Sequence, residues 1–298
     1  MKIQQLKLQI IFSLFLFIFF SGCVSLTQSK LSPEAESALY PVESYVPASF
    51  EWKEVVPGIM RFDFCNSDFP LIYHVVKIDL DVSEDKGLYL ESARGVRTSE
   101  FAEHGNLTVA VNATPFSKSG SLVGIHKENG IVVSEPVLQY AAIGFRGEVE
   151  ETFEKSENGE NNEFVGDIFS SNCVNFAHIF YTQSASEFEG YPFVFGGFFT
   201  VLEHGEVRQD FVRRCDSRSG AGLSADGKTL YILVVEGERK SQSRGLSYPQ
   251  CGEIFKALGC SDALEFDGGG SAELCIEGKS VLSYKVHRIQ GNCFGFKY

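Results

Sequence analysis

The sequence predicts an α+β fold, a single sheet-rich domain with mixed or antiparallel strands and a few helices. Three observations lead there. Phenylalanine is abundant, 27 of 298 residues, and aromatic side chains favour strands. Segments that alternate apolar and polar residues recur from residue 50 onward, the mark of half-buried strands. Turn signals follow them, while only one stretch in the last third carries helical spacing with caps at both ends. With 44% hydrophobic and 22% charged residues, the composition is that of a globular chain able to bury a sizeable core.

The first 22 residues stand apart. Lys2 and Lys7 precede an apolar run over 10–20 that only Ser13 interrupts, and Ser21-Gly22 then lead to Cys23. A basic end, a short apolar stretch and small residues form an export signal. Phe20-Ser21-Gly22-Cys23 resembles the bacterial lipobox, which implies a cleaved leader and a lipid (palmitate among its acyl chains) on Cys23. It places the protein in a bacterial cell envelope, membrane-anchored, periplasmic or surface-exposed. Residues 23–50 are rich in Ser, Pro, Glu and Ala and read as a tether; residues 51–298 form the domain.

Within the domain, residues 71–80 end in strict alternation. Residues 108–111 are a short strand ending at Asn112. Residues 124–133 read as a hairpin turned by Asn129-Gly130, and 140–145 as a further strand. Residues 148–163 are Glu- and Asn-rich without apolar spacing, a solvated insertion. Residues 193–202 read as one strand in which Gly196-Gly197 mark a bulge or a close backbone approach. His204-Gly205 turn the chain. Residues 221–223 and 229–235 flank the turn Ala225-Asp226-Gly227-Lys228. Ser247 caps a helix in which Pro249 lies in the first turn, Ile254, Phe255 and Leu258 form the apolar face, and Gly259 ends it. Strands follow at 263–266 and 273–276.

Net charge is −13, which argues against nucleic acid and against docking on anionic lipid. Of eight cysteines, Cys23 belongs to the lipobox. Export permits disulfides among the rest, and Cys251, Cys260, Cys275 and Cys293 allow three pairings between which sequence does not choose. No CxxC pair or histidine cluster is present, so a structural zinc site is not expected; no cofactor is called for, and the sequence leaves open whether a metal sits near Asp267.

The chemistry concentrates at 263–271. Along a strand, Glu265 and Asp267 fall on one side. Asp267 stands where the strand ends, before Gly268, Gly269 and Gly270. Three glycines remove every side chain that would keep a ligand from the backbone, and successive free N–H groups form an anion-binding concavity. Ser271 adds a hydroxyl. The competing reading is a solvated hairpin.

The segment Ala263-Leu264-x-x-Asp267-Gly268-Gly269-Gly270-Ser271, behind an amphipathic helix and Leu258-Gly259, resembles the hallmark of the phosphodiester glycosidase family. Further segments resemble that family in order and spacing. They are Val109-Ala110-Val111-Asn112 with Pro115-Phe116; Leu122-Val123-Gly124-Ile125; Phe195-Gly196-Gly197; Arg218-Ser219-Gly220-Ala221-Gly222-Leu223; Val234-Val235-Glu236-Gly237; and His287-Arg288-Ile289 with Asn292. The resemblance covers roughly residues 70–298. This chain departs from it at Ala113-Thr114, where the family has two glycines, at Glu265, where it often has Asn, and at Glu236, where it often has Asp.

The resemblance implies an exported, lipid-anchored hydrolase that cleaves a sugar-1-phosphodiester glycosidic bond in envelope or extracellular glycans. Its partners are a carbohydrate or glycosyl-phosphate substrate and, through the lipid, a membrane. A phosphodiester is a good leaving group, so the remaining tasks are to stabilise a cationic sugar and to deliver a nucleophile or activated water. Asp267 and Glu236 are the catalytic carboxylate candidates. Arg218 and Arg288 are the phosphate candidates, because guanidinium is a permanently charged planar fork. Asn112 and Ser271 are placed to bind sugar hydroxyls or phosphate oxygens, beside the backbone of Gly268, Gly269 and Gly270. Each has a structural alternative: Arg218 paired with Asp267, Glu236 in an exposed turn, Asn112 capping a loop, Arg288 in a surface turn. The alternative function is a non-catalytic carbohydrate-binding lipoprotein on the same scaffold.

Overall fold

A computed structural model of the chain describes residues 41–81, 87–147, 168–210 and 214–298. The leader with Cys23, most of the tether and the acidic insertion at 148–163 lie outside the described residues. Three sheets make up the described part. The largest runs Lys53–Val56, Ile59–Asn66, Leu71–Asp79, Thr229–Val235, Arg218–Leu223, Asp262–Glu265, Thr200–Glu203, Glu206–Val207. The second runs Phe176–Phe180, Ala142–Arg146, Phe193–Gly196, His126–Glu128, Ile131–Ser134. The third runs Lys279–Ser280, Leu274–Ile276, Val109–Asn112, Asn292–Lys297, Tyr89–Arg94, Ile168–Cys173. Every pairing among the described residues is antiparallel. With two short α-helices, Thr98–His104 and Tyr248–Ala257, this is the α+β class that the sequence predicts.

Inner faces of the three sheets meet in one core. Val76, Ile78, Ile232, Val234 and Leu264 come from the first sheet, Ile143, Phe145, Phe193 and Phe195 from the second, and Leu90, Val111, Leu274, Phe294 and Phe296 from the third. Phe294 sits at the junction, stacked on Phe195 with ring centroids 4.7 Å apart and tilted against Phe145 at 5.6 Å. Each of the two large sheets that carry the site has a helix on its outer face. Tyr248–Ala257 buries Ile254 and Phe255 against Val201, Leu233, Val235 and Ala263. Thr98–His104 buries Phe101 and Ala102 against Ala93, Ala110, Cys275 and Cys293. This explains why residues 71–80 alternate only toward their end: between core and helix, both faces of the Leu71–Asp79 strand are buried.

Local signals decide the turns. Asn129 and Gly130 both have positive φ, at 48° and 80°, the pair a tight hairpin needs. The helix cap is as predicted: Ser247 N–H and hydroxyl both donate to the Gln250 side-chain oxygen at 2.9 Å, and Gly259 has φ +86°.

Residues 193–202 are two strands. Phe193–Gly196 belongs to the second sheet and Thr200–Glu203 to the first. Gly196 and Gly197 are where the chain changes sheet. A Cβ on Gly197 would stand 2.6 Å from the Glu265 carbonyl, and one on Gly196 2.9 Å from that of Ile125. The glycine signal therefore marks a close backbone approach, as read, within a sheet-to-sheet crossing.

The disulfides expected from the cysteine count are not formed. Among the described residues, Cys65, Cys251, Cys260, Cys275 and Cys293 stand outside any disulfide. Geometry gives the reason. Cys275 and Cys293 lie on strands that flank Val109–Asn112 on opposite edges, two inter-strand spacings or ~10 Å apart, beyond the ~7 Å that a disulfide spans. Cys251 is near the start of its helix and Cys260 past its end, a separation of ~13 Å at ~1.5 Å per residue.

Candidate active site

The glycine loop forms where the first and third sheets converge. The Asp262–Glu265 strand ends, Phe266 N–H still donates to Ser219 (2.7 Å), and Asp267 N–H turns away to the Ala113 carbonyl (2.9 Å). The strand pairing therefore ends before Asp267. Glu265 and Asp267, expected on one side, have separate surroundings.

Asn112 locks the loop. Its Nδ2 donates to the Asp267 carbonyl at 2.6 Å, and its Oδ1 accepts from Glu273 N–H at 3.0 Å. One side chain thus staples both ends of the glycine turn to the third sheet. The turn itself is a short 3-10 segment, Gly269–Ser271. Gly269 N–H donates to the Ser217 carbonyl at 3.0 Å and Ser271 N–H to that of Gly268 at 3.2 Å. Gly269 has φ +57°, a conformation that disfavours side chains. Gly268 is extended, but a Cβ there would lie 2.8 Å from the Ser217 carbonyl. The first glycine is required by contact and the second by conformation.

Two guanidinium groups flank the loop. A Cβ on Gly268 would be 3.8 Å from Arg218 Nη1, and one on Gly270 3.6 Å from Arg288 Nη2. Arg218 is buried. Its Nε donates to the Leu246 carbonyl at 2.9 Å and its Nη2 to that of Arg214 at 2.7 Å, and its plane lies over Tyr248, 3.9 Å from the ring centroid. Arg288 is exposed, and its Nη1 donates to Ser271 Oγ at 3.2 Å. Gln290 steadies this approach by donating to the Ser271 carbonyl at 3.1 Å. Arg218 is charge-coupled to Glu265, not to Asp267; the arginine that acts on Asp267 is Arg288.

Glu236 follows the central Thr229–Val235 strand and is 1% exposed. Its Oε1 accepts from Ser283 N–H at 2.8 Å, and its Oε2 accepts from the Ser283 hydroxyl. His74 Nε2 lies 3.2 Å from Oε1. This is a buried, fully partnered carboxylate rather than an exposed turn residue. The glycine loop and Glu236 meet the chain at one place: Ser217 receives the Gly269 N–H, while a Cβ on Gly237 would stand 2.3 Å from Ser217 N. The segment 283–290 bridges them again, through Ser283 at one end and Arg288 at the other.

Their electrostatics diverge. Burial pushes the Asp267 carboxyl above its ordinary range, and the Ser271 hydroxyl and Arg288 only partly offset it. Burial also acts against ionised Glu236, but hydrogen bonds from His74 and Ser283 outweigh it and hold the group below its ordinary range. Two carboxyls with opposed tendencies are the pattern of a proton-exchanging group beside a permanent anion.

The family model for phosphodiester glycosidases matches residues 105–296. The chain belongs to the phosphodiester glycosidase family. At the family level this makes it a glycosidase-type hydrolase domain, and every site residue in the loop, both arginines, Glu236 and Asn112 fall inside the match. Over 189 residues the chain is 25% identical to the SPbeta prophage-derived uncharacterized protein YomE of Bacillus subtilis (strain 168), covering 60% of this chain and 26% of that relative. The chain therefore matches about a quarter of that protein's length. Among solved structures, this family member is similar to a hypothetical protein from Synechocystis, with TM-score 0.59 and 15% identity over 83% of this chain and 63% of that one. It is also similar to the zebrafish N-acetylglucosamine-1-phosphodiester alpha-N-acetylglucosaminidase catalytic domain auto-inhibited by its pro-peptide, with TM-score 0.56 and 16% identity over 86% of each chain. At those identities the likeness is one of fold.

Sequence reasoning missed residues that the structure puts beside the site. Ser217 and Ser283 contribute backbone atoms and a hydroxyl, which leave little trace in sequence. Asp63 and His74 sit on the far side of Glu236, with His74 Nδ1 2.6 Å from Asp63 Oδ1. A titratable residue inside the apolar run 71–80 was the available signal. His126 is similarly buried, its Nε2 2.5 Å from Glu128 and its Nδ1 3.0 Å from Asn292 Nδ2. Asn292 also donates to Thr114, so the Ala113-Thr114 departure is knitted into the third sheet. Among the described residues no three His, Cys, Asp or Glu side chains are grouped to hold a metal ion.

Proposed function

We propose that the protein is an exported, lipid-anchored hydrolase that cleaves the bond between a sugar C1 and the oxygen of a phosphodiester in envelope or extracellular glycans. The observation that carries this reading is the glycine loop between Arg218 and Arg288 with Asp267 at its start. A phosphodiester bears one negative charge and non-bridging oxygens. It fits a bare backbone turn between a fixed guanidinium and an exposed one. The N–H groups of Gly268 and Gly270 take no part in the Asn112–Ser217 clamp and face the role of phosphate donors.

The chemistry follows from the two carboxyls. Departure of the phosphodiester oxygen breaks the C1–O bond and leaves positive charge on the sugar ring. Glu236, held ionised beneath Ser283, stabilises that charge electrostatically. Water attacks C1, and Asp267 takes its proton; a carboxyl raised toward neutrality is a better base than an ordinary aspartate. Asn112 contributes in this reading by positioning the loop, since its amide oxygen and one N–H are committed to backbone. Cys23 supplies the lipid anchor, at ~0.8 kcal/mol per buried methylene.

The test is to incubate the purified protein with N-acetylglucosamine-1-phospho-6-mannoside and related sugar phosphodiesters. Sugar release that disappears in Asp267→Asn supports the reading. Binding with no turnover on a broad panel favours a carbohydrate-binding lipoprotein instead.

A further inference from the structure

Behind Glu236 lies a row of alternating charge. Arg61 Nε is 2.7 Å from Asp63 Oδ2, Asp63 Oδ1 is 2.6 Å from His74 Nδ1, and His74 Nε2 is 3.2 Å from Glu236 Oε1. The sheet sets this order: in the first sheet's register His74 faces Asp63 on one neighbouring strand and Val234, two residues before Glu236, on the other. His74 is 6% exposed and Glu236 1%, while Asp63 is exposed at the open end.

The hydrogen-bond partners tie the state of the ring to that of the two carboxyls. An ionised carboxylate only accepts. Both imidazole nitrogens face carboxyl oxygens; with both carboxyls ionised, both nitrogens carry hydrogen and the ring is an imidazolium. His126 has the opposite wiring, with one nitrogen toward Glu128 and the other toward the Asn292 amide N–H, which needs one ring hydrogen only. A buried carboxylate without a compensating charge takes up a proton instead of staying ionised. Glu236 has Ser283 as its other donor, and Ser283 carries no charge.

We propose that His74, clamped as an imidazolium between Asp63 and Glu236, is a positioning residue that fixes the Glu236 carboxylate in place and in its charged form. This rests on the hydrolase reading above, in which that charge faces the developing cation. Other groups around the row do not replace it. Arg61 pairs with Asp63. Tyr284 is a neutral phenol whose ionisation burial and Glu236 both oppose. Glu238 acts on Tyr284 with the same sign as Glu236. Arg239 is turned to the Ser283 carbonyl and the Tyr284 ring, and Ser243 donates to the Glu236 backbone carbonyl. The tendencies agree: burial alone would lower His74, but its bonds to Asp63 and Glu236 raise it.

The experiment pairs a pH profile with a direct view of the ring. In His74→Gln, which keeps a polar side chain but no charge, kcat should fall about tenfold with KM little changed. The acid limb of the profile should move up by about one pH unit, the equivalent of a tenfold change in ionisation. Asp63→Asn should move it the same way by less. In nitrogen-15 spectra of the intact protein, His74 should show both ring nitrogens protonated at pH 7, and the signature should survive in Asp267→Asn and be lost in Glu236→Gln. Superimposable profiles for wild type and a folded His74→Gln, or a neutral His74 at pH 7, overturn the proposal. A wild type that releases no sugar defeats the hydrolase reading, and the spectra still decide whether the imidazolium clamp exists.

Discussion

Asn112 and Asp267, far apart in sequence, are joined at 2.6 Å through the Asn112 amide and the Asp267 carbonyl. The same amide holds Glu273 beyond the glycines. Asn112→Ala leaves two buried backbone groups without partners, a cost of about 1–3 kcal/mol for each. Urea unfolding should show that loss, and sugar release should fall with it because the loop is no longer pinned. Asn112→Ser, which restores a single hydroxyl partner, should recover only part of either.

Gly268 and Gly269 should respond differently to alanine. At Gly269 the penalty is conformational, about 1 kcal/mol, because nothing lies within 4 Å of an added Cβ. At Gly268 the Cβ meets the Ser217 carbonyl at 2.8 Å, so the loop must move. Thermal melts and kinetics on the two variants should give a modest stability loss with residual activity for Gly269→Ala, and the larger activity loss for Gly268→Ala.

Arg288 is exposed, and its guanidinium donates to Ser271 and acts on Asp267. Replacing it should leave stability within about 0.5 kcal/mol, as is usual for surface sites. Arg288→Ala should raise KM for an anionic phosphodiester by an order of magnitude or more, with Arg288→Lys between the two because lysine keeps the charge without the fork. Equal KM values for all three proteins would remove Arg288 from phosphate recognition.

Glu265 sets a pH dependence of stability. It is fully enclosed, with the buried Cys251 thiol as its hydrogen-bonding neighbour. Burial pushes its pKa up to about 8, against the opposing charge of Arg218. The sign follows from proton binding: between its ordinary pKa, near 4.5, and about 8 the folded state holds the proton that the unfolded state has released. The stabilising contribution is full below the ordinary value and is lost as pH rises toward 8. Unfolding measured at pH 5 and at pH 8 should show Glu265→Gln gaining on wild type at the higher pH. Parallel curves would contradict the burial of the acid form.

Among the described cysteines Cys65 is the exposed one, five are buried and Cys173 is intermediate. A thiol reagent on the native protein should therefore show one fast-reacting group that Cys65→Ser abolishes. Reductant should leave the melting temperature unchanged.

Elements with a local cause were legible in the sequence. Ser247, Pro249 and Gly259 delimit a helix by capping chemistry, and Asn129-Gly130 specify a hairpin by their positive φ. The glycine loop was legible as a place where backbone is laid bare. What escaped was set by pairing between distant segments. Nothing near residue 200 says that the chain changes sheets at Gly196-Gly197, because the reason is the approach of Glu265. Asp267 has other partners than Glu265, and its N–H is taken by Ala113, far away in sequence. Asp63 and His74 become neighbours of Glu236 only through the register of three strands. Asn112 looked like a ligand-binding amide because its backbone partners lie more than a hundred residues downstream.

The strand Asn292–Lys297 is inserted between Tyr89–Arg94 and Val109–Asn112, and it brings Phe294 to the meeting point of all three sheets. A chain made amino-terminus first presents the two outer strands long before the one that joins them. Until residue 297 has emerged, the third sheet is split and the aromatic junction is empty. Contacts this distant in sequence also form slowly. The third sheet is therefore completed only when the last residues of the chain are in place, and synthesis and folding of this protein are consecutive events.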